Sequence, residues 1–445
     1  MARTIHGVLI GAGSSVFGPP TLLDLLTCVF GQGGRLSLVD TDAAALSLME
    51  GAARKLSDSF GGKVAIAAAT AREEVLAEAD FVIISVEEDR IGRWKLDWEI
   101  PQRFGIKHTL GENRGPAGLS HTLRTAPLVL GICRDIERLA PAATVIIMTN
   151  PEDRLAYAVN KYTRLRVFGY CDGLWDFKQN FVGKLLGIPG EKIHLHAAGI
   201  NHAVWITDLR NRETGEDLYP LMLSKGRQTG WQPFGQHLYR TYGLWPHEND
   251  EHYGEYFHYA CEFMECKGYD FDEHVAMDRG WKQRIGEFVA GRYDPERFTQ
   301  ETRDFMWRIF GDVPPSNIIG GVHLGRPAYL QNANIPNRGA LPGLPDDMIV
   351  ELPAVATPSG IFGVHFQKLP DPIIVFLYRE GVIQGLAAEA AVEGSRHKAL
   401  QALMLDPQVR SAEMAAALLD AFLEAHEGFI PESIHRGLRA EGKVE

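Results

Sequence analysis

One segment restricts the chain more than any other: the apolar stretch from Thr4 to Ile10, broken by Gly11-Ala12-Gly13-Ser14-Ser15 and resumed through Leu22, Leu23, Leu25 and Leu26. An apolar run that stops at closely spaced glycines and restarts with helical spacing reads as strand, tight turn and helix. Gly11, Gly13 and Ser14 then form a turn whose backbone can approach a pyrophosphate, with the amides of the next helix facing the negative charge. The third glycine of the full dinucleotide fingerprint is Val16 here, with Gly18 two places on. A second strand, Arg35 to Val39, ends on Asp40, 27 positions after Gly13. A carboxylate there accepts both ribose hydroxyls and favours NAD over NADP. The other reading of this segment is a structural glycine turn in a different α/β protein.

The same rhythm continues. A helical stretch around Arg72 to Ala77 precedes a strand from Phe81 to Val86, and apolar residues from Leu119 to Leu139 recur at helical spacing before a strand from Thr144 to Met148. Strand Arg166 to Gly169 delivers Tyr170-Cys171-Asp172 to its C-terminal end. Such alternation predicts a parallel Rossmann-type sheet, here over residues 1–195. Past it the pattern becomes irregular, with clustered aromatics and a Pro-rich, loop-like span from Asn334 to Pro358. Residues 196–445 are therefore expected to form an α+β substrate and oligomerisation domain, closing with two helices between Ala387 and His426 that split near Asp406-Pro407. A chain of 445 residues suits two intimately joined domains.

A net charge of -12 excludes nucleic acid and anionic membranes as main partners and leaves a small substrate. The N-terminus has no secretory pattern, no apolar run offers a membrane span, and five sparse cysteines do not look like a disulfide framework, so a cytoplasmic location is expected.

Open α/β sheets bind ligands at the C-terminal ends of their strands, which is where Asn150 and Cys171 fall. A thiolate and an imidazole can share a borderline divalent ion, and His202 follows a strand that could carry it to Cys171. By spacing alone the pair is not a metal signature and reads more readily as a buried cysteine and a core or capping histidine. Three acids compete for acid and base work, namely Glu112 (beside Asn113 and Arg114), Asp172 and Asp250, each of which also suits a helix cap or a solvated charge. His252, Glu255 and Tyr256 follow Asp250 at near-helical spacing, and Arg90, Arg93 and Arg114 could serve an anionic substrate.

Taken in order, GAGSSVFG, GENRGPAGLSHTLRTAP, MTNPED, GYCDG, GINHAVW and NDEHYGEY resemble glycoside hydrolase family 4. The resemblance extends to Asn332-Ala333-Asn334-Ile335-Pro336-Asn337-Arg338 and Val350-Glu351-Leu352-Pro353. It implies a fold related to lactate and malate dehydrogenases. It also implies NAD and a divalent metal, manganese by family habit, as cofactors, with a homodimer or homotetramer as the assembly. Metal ligands fall on Cys171 and His202, and a substrate-contacting asparagine on Asn150. Asn113 and Arg93 join it as substrate candidates. The implied reaction takes hydride from carbon-3 of a small glycoside onto NAD+, removes the acidified carbon-2 proton beside the metal, expels the aglycone, adds water and returns the hydride. Asp172 is the expected acid with Glu112 as competitor, and Asp250 the expected base with Tyr256 as competitor. Asp172 is similar to the acid of phospho-α-glucosidases, whereas NDEHYGEY resembles α-galactosidases and α-galacturonidases, so an α-glycoside or a uronide is the expected substrate. Two rival readings are a 2-hydroxy-acid dehydrogenase using His202 and Asp172, and a noncatalytic NAD-binding sensor.

Overall fold

In the computed structural model, which describes residues 4–436, β1 (His6–Ile10) is buried at every position between β2 (Gly34–Val39) and β4 (Phe81–Ile84), parallel to both. β3 (Val64–Ala69) pairs with β2, and β5 (Thr144–Ile147) and β6 (Arg166–Gly169) extend the sheet beyond β4, all parallel. The all-apolar Phe81-Val82-Ile83-Ile84 is what a strand covered on both faces requires. The sheet then continues with antiparallel strands: β7 (Ile193–Ile200), β8 (Ala203–Asn211), β9 (Trp245–Pro246), β10 (Ala328–Pro336) and β11 (Ile349–Thr357), with β12 (Gly360–Gly363) pairing on β11. The complete path is β3-β2-β1-β4-β5-β6-β10-β11-β7-β8-β9. Strand β10 bridges β6 to β11, so both halves share one sheet and their loops meet where β6 ends.

Three sequence expectations need correction. The span from Asn334 to Pro358 is not a loop: it holds the end of β10 and all of β11, and Pro353 sits where the β10–β11 register shifts, a place where a missing N–H costs no ladder bond. The C-terminal stretch forms three helices, Asp371–Glu393, Arg396–Leu405 and Ala412–Ala425, because Gly394 adopts φ 66 and ends the first; the second does stop before Asp406-Pro407. Ile383, Ala387, Leu418 and Phe422 from these helices share a core with Leu119 and Leu155 of the N-terminal half. The helix expected near Arg72 is a single turn, Arg72–Glu74. Among the cysteines, Cys261 and Cys266 are joined by a local disulfide, while Cys28, Cys133 and Cys171 are free. No described helix is long and apolar enough to cross a membrane.

One buried acid pins the glycine-turn helix to the second half. Asp24, at the end of helix Gly18–Asp24, accepts hydrogen bonds from the backbone amide (2.9 Å) and hydroxyl (2.5 Å) of Ser316. Burial raises its carboxyl to about 6 against the opposing pull of those bonds. The folded protein therefore holds this proton to about pH 6, while the unfolded chain releases it near pH 4. The stability that the protonated group provides is lost as pH rises through that window, by about 3 kcal/mol. Melting curves should show wild type losing stability from pH 4 to 6 relative to Asp24→Asn, whose side chain does not titrate; parallel pH profiles would refute this.

Candidate active site

A cavity of about 500 Å³ opens at the C-terminal ends of β1, β2 and β4, lined among others by Gly11, Ser14, Asp40, Thr70, Val86 and Thr149. Gly11 has φ 85, and a Cβ there would lie 1.8 Å from the carbonyl oxygen of Ser85, so only glycine fits. The amide of Gly13 donates to Asp40 Oδ2 at 2.8 Å, and a Cβ on Gly13 would lie 2.7 Å from that oxygen. Ser14 Oγ accepts from the Phe17 amide at 3.1 Å and steadies the turn. A cradle that side chains would fill, with a carboxylate at its edge, fits a dinucleotide. At its far end the cavity reaches Glu87 and Arg90. Arg90 bonds both Glu87 (2.5 Å) and Glu112 (2.8 Å), which links the nucleotide cleft to the next cluster.

Cys171 follows β6, and His202 lies in the tight β7–β8 turn, where its φ of 61 directs the ring back across the sheet end. Cys171 Sγ and His202 Nε2 are 3.3 Å apart. Donors bound to one ion at about 2.2 Å and at right angles stand about 3.1 Å apart, so the pair fits a metal. Burial keeps His202 neutral, with His252 and Arg114 adding to the effect. Burial also pushes the Cys171 thiol up, reinforced by Glu351, Asp172 and Glu248, a field that a divalent cation would offset. Asn113 Nδ2 is 3.3 Å from His202 Nδ1, and its Oδ1 has no partner among the described residues.

Glu112 Oε1 accepts from Arg90 and from Asn150 Nδ2 (3.2 Å), and Oε2 accepts from Asn113 Nδ2 (3.1 Å). Glu112, Asn113, Asn150, Cys171 and His202 are thus brought into one network. Asp172 is next in chain, starts the short helix Gly173–Asp176 without capping it, and is raised to about 7 by burial and then by Asp176.

Other expected residues are engaged elsewhere. The two oxygens of Asp250 accept from the amides of Phe234 (2.9 Å) and Gly235 (2.8 Å), so it caps helix Pro233–Tyr242. Arg93 pairs with Asp89, donates to the carbonyl of Ala425 and stacks on Phe429. The Tyr256 hydroxyl donates to the carbonyl of Asn201 and accepts from Arg114 Nε at 2.7 Å. Arg114 in turn pairs with Asp153 at 2.5 Å, so Tyr256 braces the turn that carries His202. The segment's contribution to the cluster is His252, whose ring meets that of His202 edge-on with centroids 4.6 Å apart, and Glu255, which accepts from the Glu112 amide at 2.6 Å. His252 Nδ1 has no partner among the described residues.

Residues with no role assigned from sequence complete the site. Glu351 accepts from Asn201 Nδ2 (3.1 Å) and Asn332 Nδ2 (3.0 Å), and Asn332 also donates to the Cys171 carbonyl (3.1 Å), tying the two metal-bearing loops together. A lone carboxylate inside the apolar run Ile349-Val350-Glu351-Leu352 was the available signal.

The sequence profile of family 4 glycosyl hydrolases matches residues 7–187, and that of the family's C-terminal domain matches residues 197–409. The chain belongs to glycoside hydrolase family 4. Membership makes it an NAD-dependent glycoside hydrolase and sets aside the dehydrogenase and sensor readings. It is 28% identical to an alpha-glucosidase of Erwinia rhapontici, over 95% of this chain and 98% of that one. It is 27% identical to an alpha-galactosidase of Bacillus subtilis, again over 95% and 98%. In fold it is similar to a putative glucosidase from Bacillus subtilis (TM-score 0.81, 24% identity, 94% and 100% of the two chains). A 6-phospho-alpha-glucosidase from gut microorganisms, solved with NAD and Mn2+, shares the fold too (TM-score 0.79, 20% identity, 96% and 99%). A malate dehydrogenase of Plasmodium falciparum matches more loosely, with a TM-score of 0.50, 13% identity and 88% and 99% coverage.

Proposed function

We propose that this family 4 enzyme hydrolyses a small neutral α-glycoside, a glucoside or galactoside without phosphate or carboxylate, in the cytoplasm. Its NAD+ is held by Gly11, Gly13 and Asp40, and its divalent ion, manganese by family habit, by Cys171 and His202. The observation that carries the neutral substrate is the charge balance. Arg90 and Arg114, the arginines that bond to site residues, are neutralised by Glu87 and Glu112 and by Asp153, and the groups around Cys171 are the carboxyls of Asp172, Glu248 and Glu351. A substrate anion would find neither arginine free to pair with it. The alpha-glucosidase and alpha-galactosidase relatives support the same choice. Homodimers or homotetramers are the proposed assembly, with the exposed Val375 and Tyr378 of helix Asp371–Glu393 as contacts.

Held at the Gly11, Gly13 and Asp40 cradle, NAD+ would supply reversible hydride acceptance, and a metal held by Cys171 and His202 would supply Lewis acidity beside the sugar. The chain's own groups do the rest. Asn150 and Asn113 orient the sugar hydroxyls, anchored through Glu112. His252, with its open ring nitrogen beside His202, takes the carbon-2 proton in place of the committed Asp250. Asp172, free of capping duty, donates to the departing aglycone oxygen.

The test is a panel of nitrophenyl glycosides assayed with NAD+ and Mn2+. The neutral α-hexosides should exceed their 6-phosphates and the matching uronide by about 100-fold in kcat/KM, the scale of a buried charge left without a partner. Preference for either anion would overturn the neutral assignment.

A further inference from the structure

We infer that Glu248 is a third protein ligand of the metal; this rests on the reading that Cys171 and His202 hold the ion. Sγ of Cys171, a ring nitrogen of His202 and a carboxylate oxygen of Glu248 all lie within 4.8 Å of one another. Two bonds of about 2.2 Å span at most about 4.4 Å, so only small side-chain shifts bring all three donors onto one ion. Glu248 is 5% exposed, and its Oε1 has no hydrogen-bond partner among the described residues. A buried carboxylate oxygen without a donor is costly, and a cation is the partner that would offset it.

The local sequence opens the path for this side chain. Gly173 follows Cys171 by two positions, and a Cβ there would sit 1.6 Å from Glu248 Oε1, so any other residue would push the carboxylate away. The Gly173 amide itself faces Cys171 Sγ at 3.4 Å, which places thiolate and carboxylate on one patch of backbone. Its neighbours Asn249, which caps helix Asp250–Gly254, and Asp250, which caps Pro233–Tyr242, have other work. Glu248 has none.

The chemistry is coherent. A thiolate and a carboxylate balance a divalent charge around a neutral imidazole, as a buried site needs. Three protein ligands with open positions is the habit of catalytic metal sites, and the open positions are where a sugar diol can chelate. A hard oxygen beside the soft thiolate also moves preference toward manganese.

Manganese affinity, read by the loss of the free Mn2+ electron paramagnetic resonance signal, should fall at least about 10-fold in Glu248→Gln, as it should in Cys171→Ser. NAD binding and the metal-free melting temperature should stay at wild-type level or above. Unchanged affinity in Glu248→Gln with loss in Cys171→Ser would overturn the third ligand alone, and unchanged affinity in both would overturn the Cys171 and His202 site with it. Manganese-soaked wild-type crystals give a measurement independent of any variant. An anomalous peak about 2.2 Å from a Glu248 oxygen supports the assignment, and a peak on Cys171 and His202 with water in that position refutes it.

Discussion

Replacing Cys171 with serine should lower kcat/KM on a neutral nitrophenyl α-glycoside by about 10³-fold, and exhaustive chelation of the wild-type protein should reproduce the loss until Mn2+ is restored. The magnitude follows from the several kcal/mol that a Lewis acid contributes beside a developing enediolate. Cys171 is well placed for the role: it ends β6, faces His202 Nε2 at 3.3 Å and has its carbonyl tied by Asn332 to the Glu351 brace. Serine keeps the shape but is a far weaker ligand at neutral pH. The control is Cys28→Ser at an exposed, free cysteine of the N-terminal half, which should change nothing. NADH should not accumulate in either protein, because the hydride is returned at each turnover. Activity that survives both chelation and Cys171→Ser would remove the metal from the reaction.

How far the sequence went depends on the kind of physics each element uses. The glycine turn was legible because only a residue without a side chain tolerates φ 85 at Gly11, and that demand is written in one letter. The β4 strand was legible for the same local reason, an unbroken apolar run. Strand β11 was not, because its proline, in a Pro-rich span, reads as a breaker until Pro353 is seen at a register shift. The acids show the wider limit. Asp250 and Asp172 look alike in sequence, each an acid in a polar loop, yet one spends both oxygens on the amides of a neighbouring helix and the other spends none on capping. What separates them is contact with segments far away in the chain, which no local pattern encodes. Arg93 shows the same limit, engaged by Ala425 and Phe429 of the C-terminal stretch. The family resemblance supplied Cys171 and His202, whereas Glu248 and His252 emerge only when the β7–β8 turn and the segment after β9 are seen side by side.

Asp172→Asn should slow cleavage of an alkyl α-glycoside by about 10³-fold, within the range a positioned proton donor contributes, while a dinitrophenyl α-glycoside should lose less than about 10-fold. The contrast follows from what the proton does. An alkoxide leaves poorly unless protonated as the bond to carbon-1 breaks, whereas a dinitrophenolate leaves without help. Asparagine preserves the size of the side chain and its place at the head of helix Gly173–Asp176, so only the transferable proton is removed. Glu112→Gln tests the competing assignment. Its carboxylate already accepts from Arg90, Asn113 and Asn150, so the exchange disturbs the groups that orient the sugar, and it should raise KM with no dependence on the leaving group. If the leaving-group dependence appears in Glu112→Gln and not in Asp172→Asn, the acid is Glu112. If it appears in neither, proton donation to the aglycone is not limiting and Asp172 only shapes the loop beside Cys171. Solvent deuterium should still enter carbon-2 of substrate recovered from Asp172→Asn, because removal of that proton by His252 precedes departure of the aglycone. Exchange that continues while cleavage stalls would separate the two steps and assign Asp172 to the second.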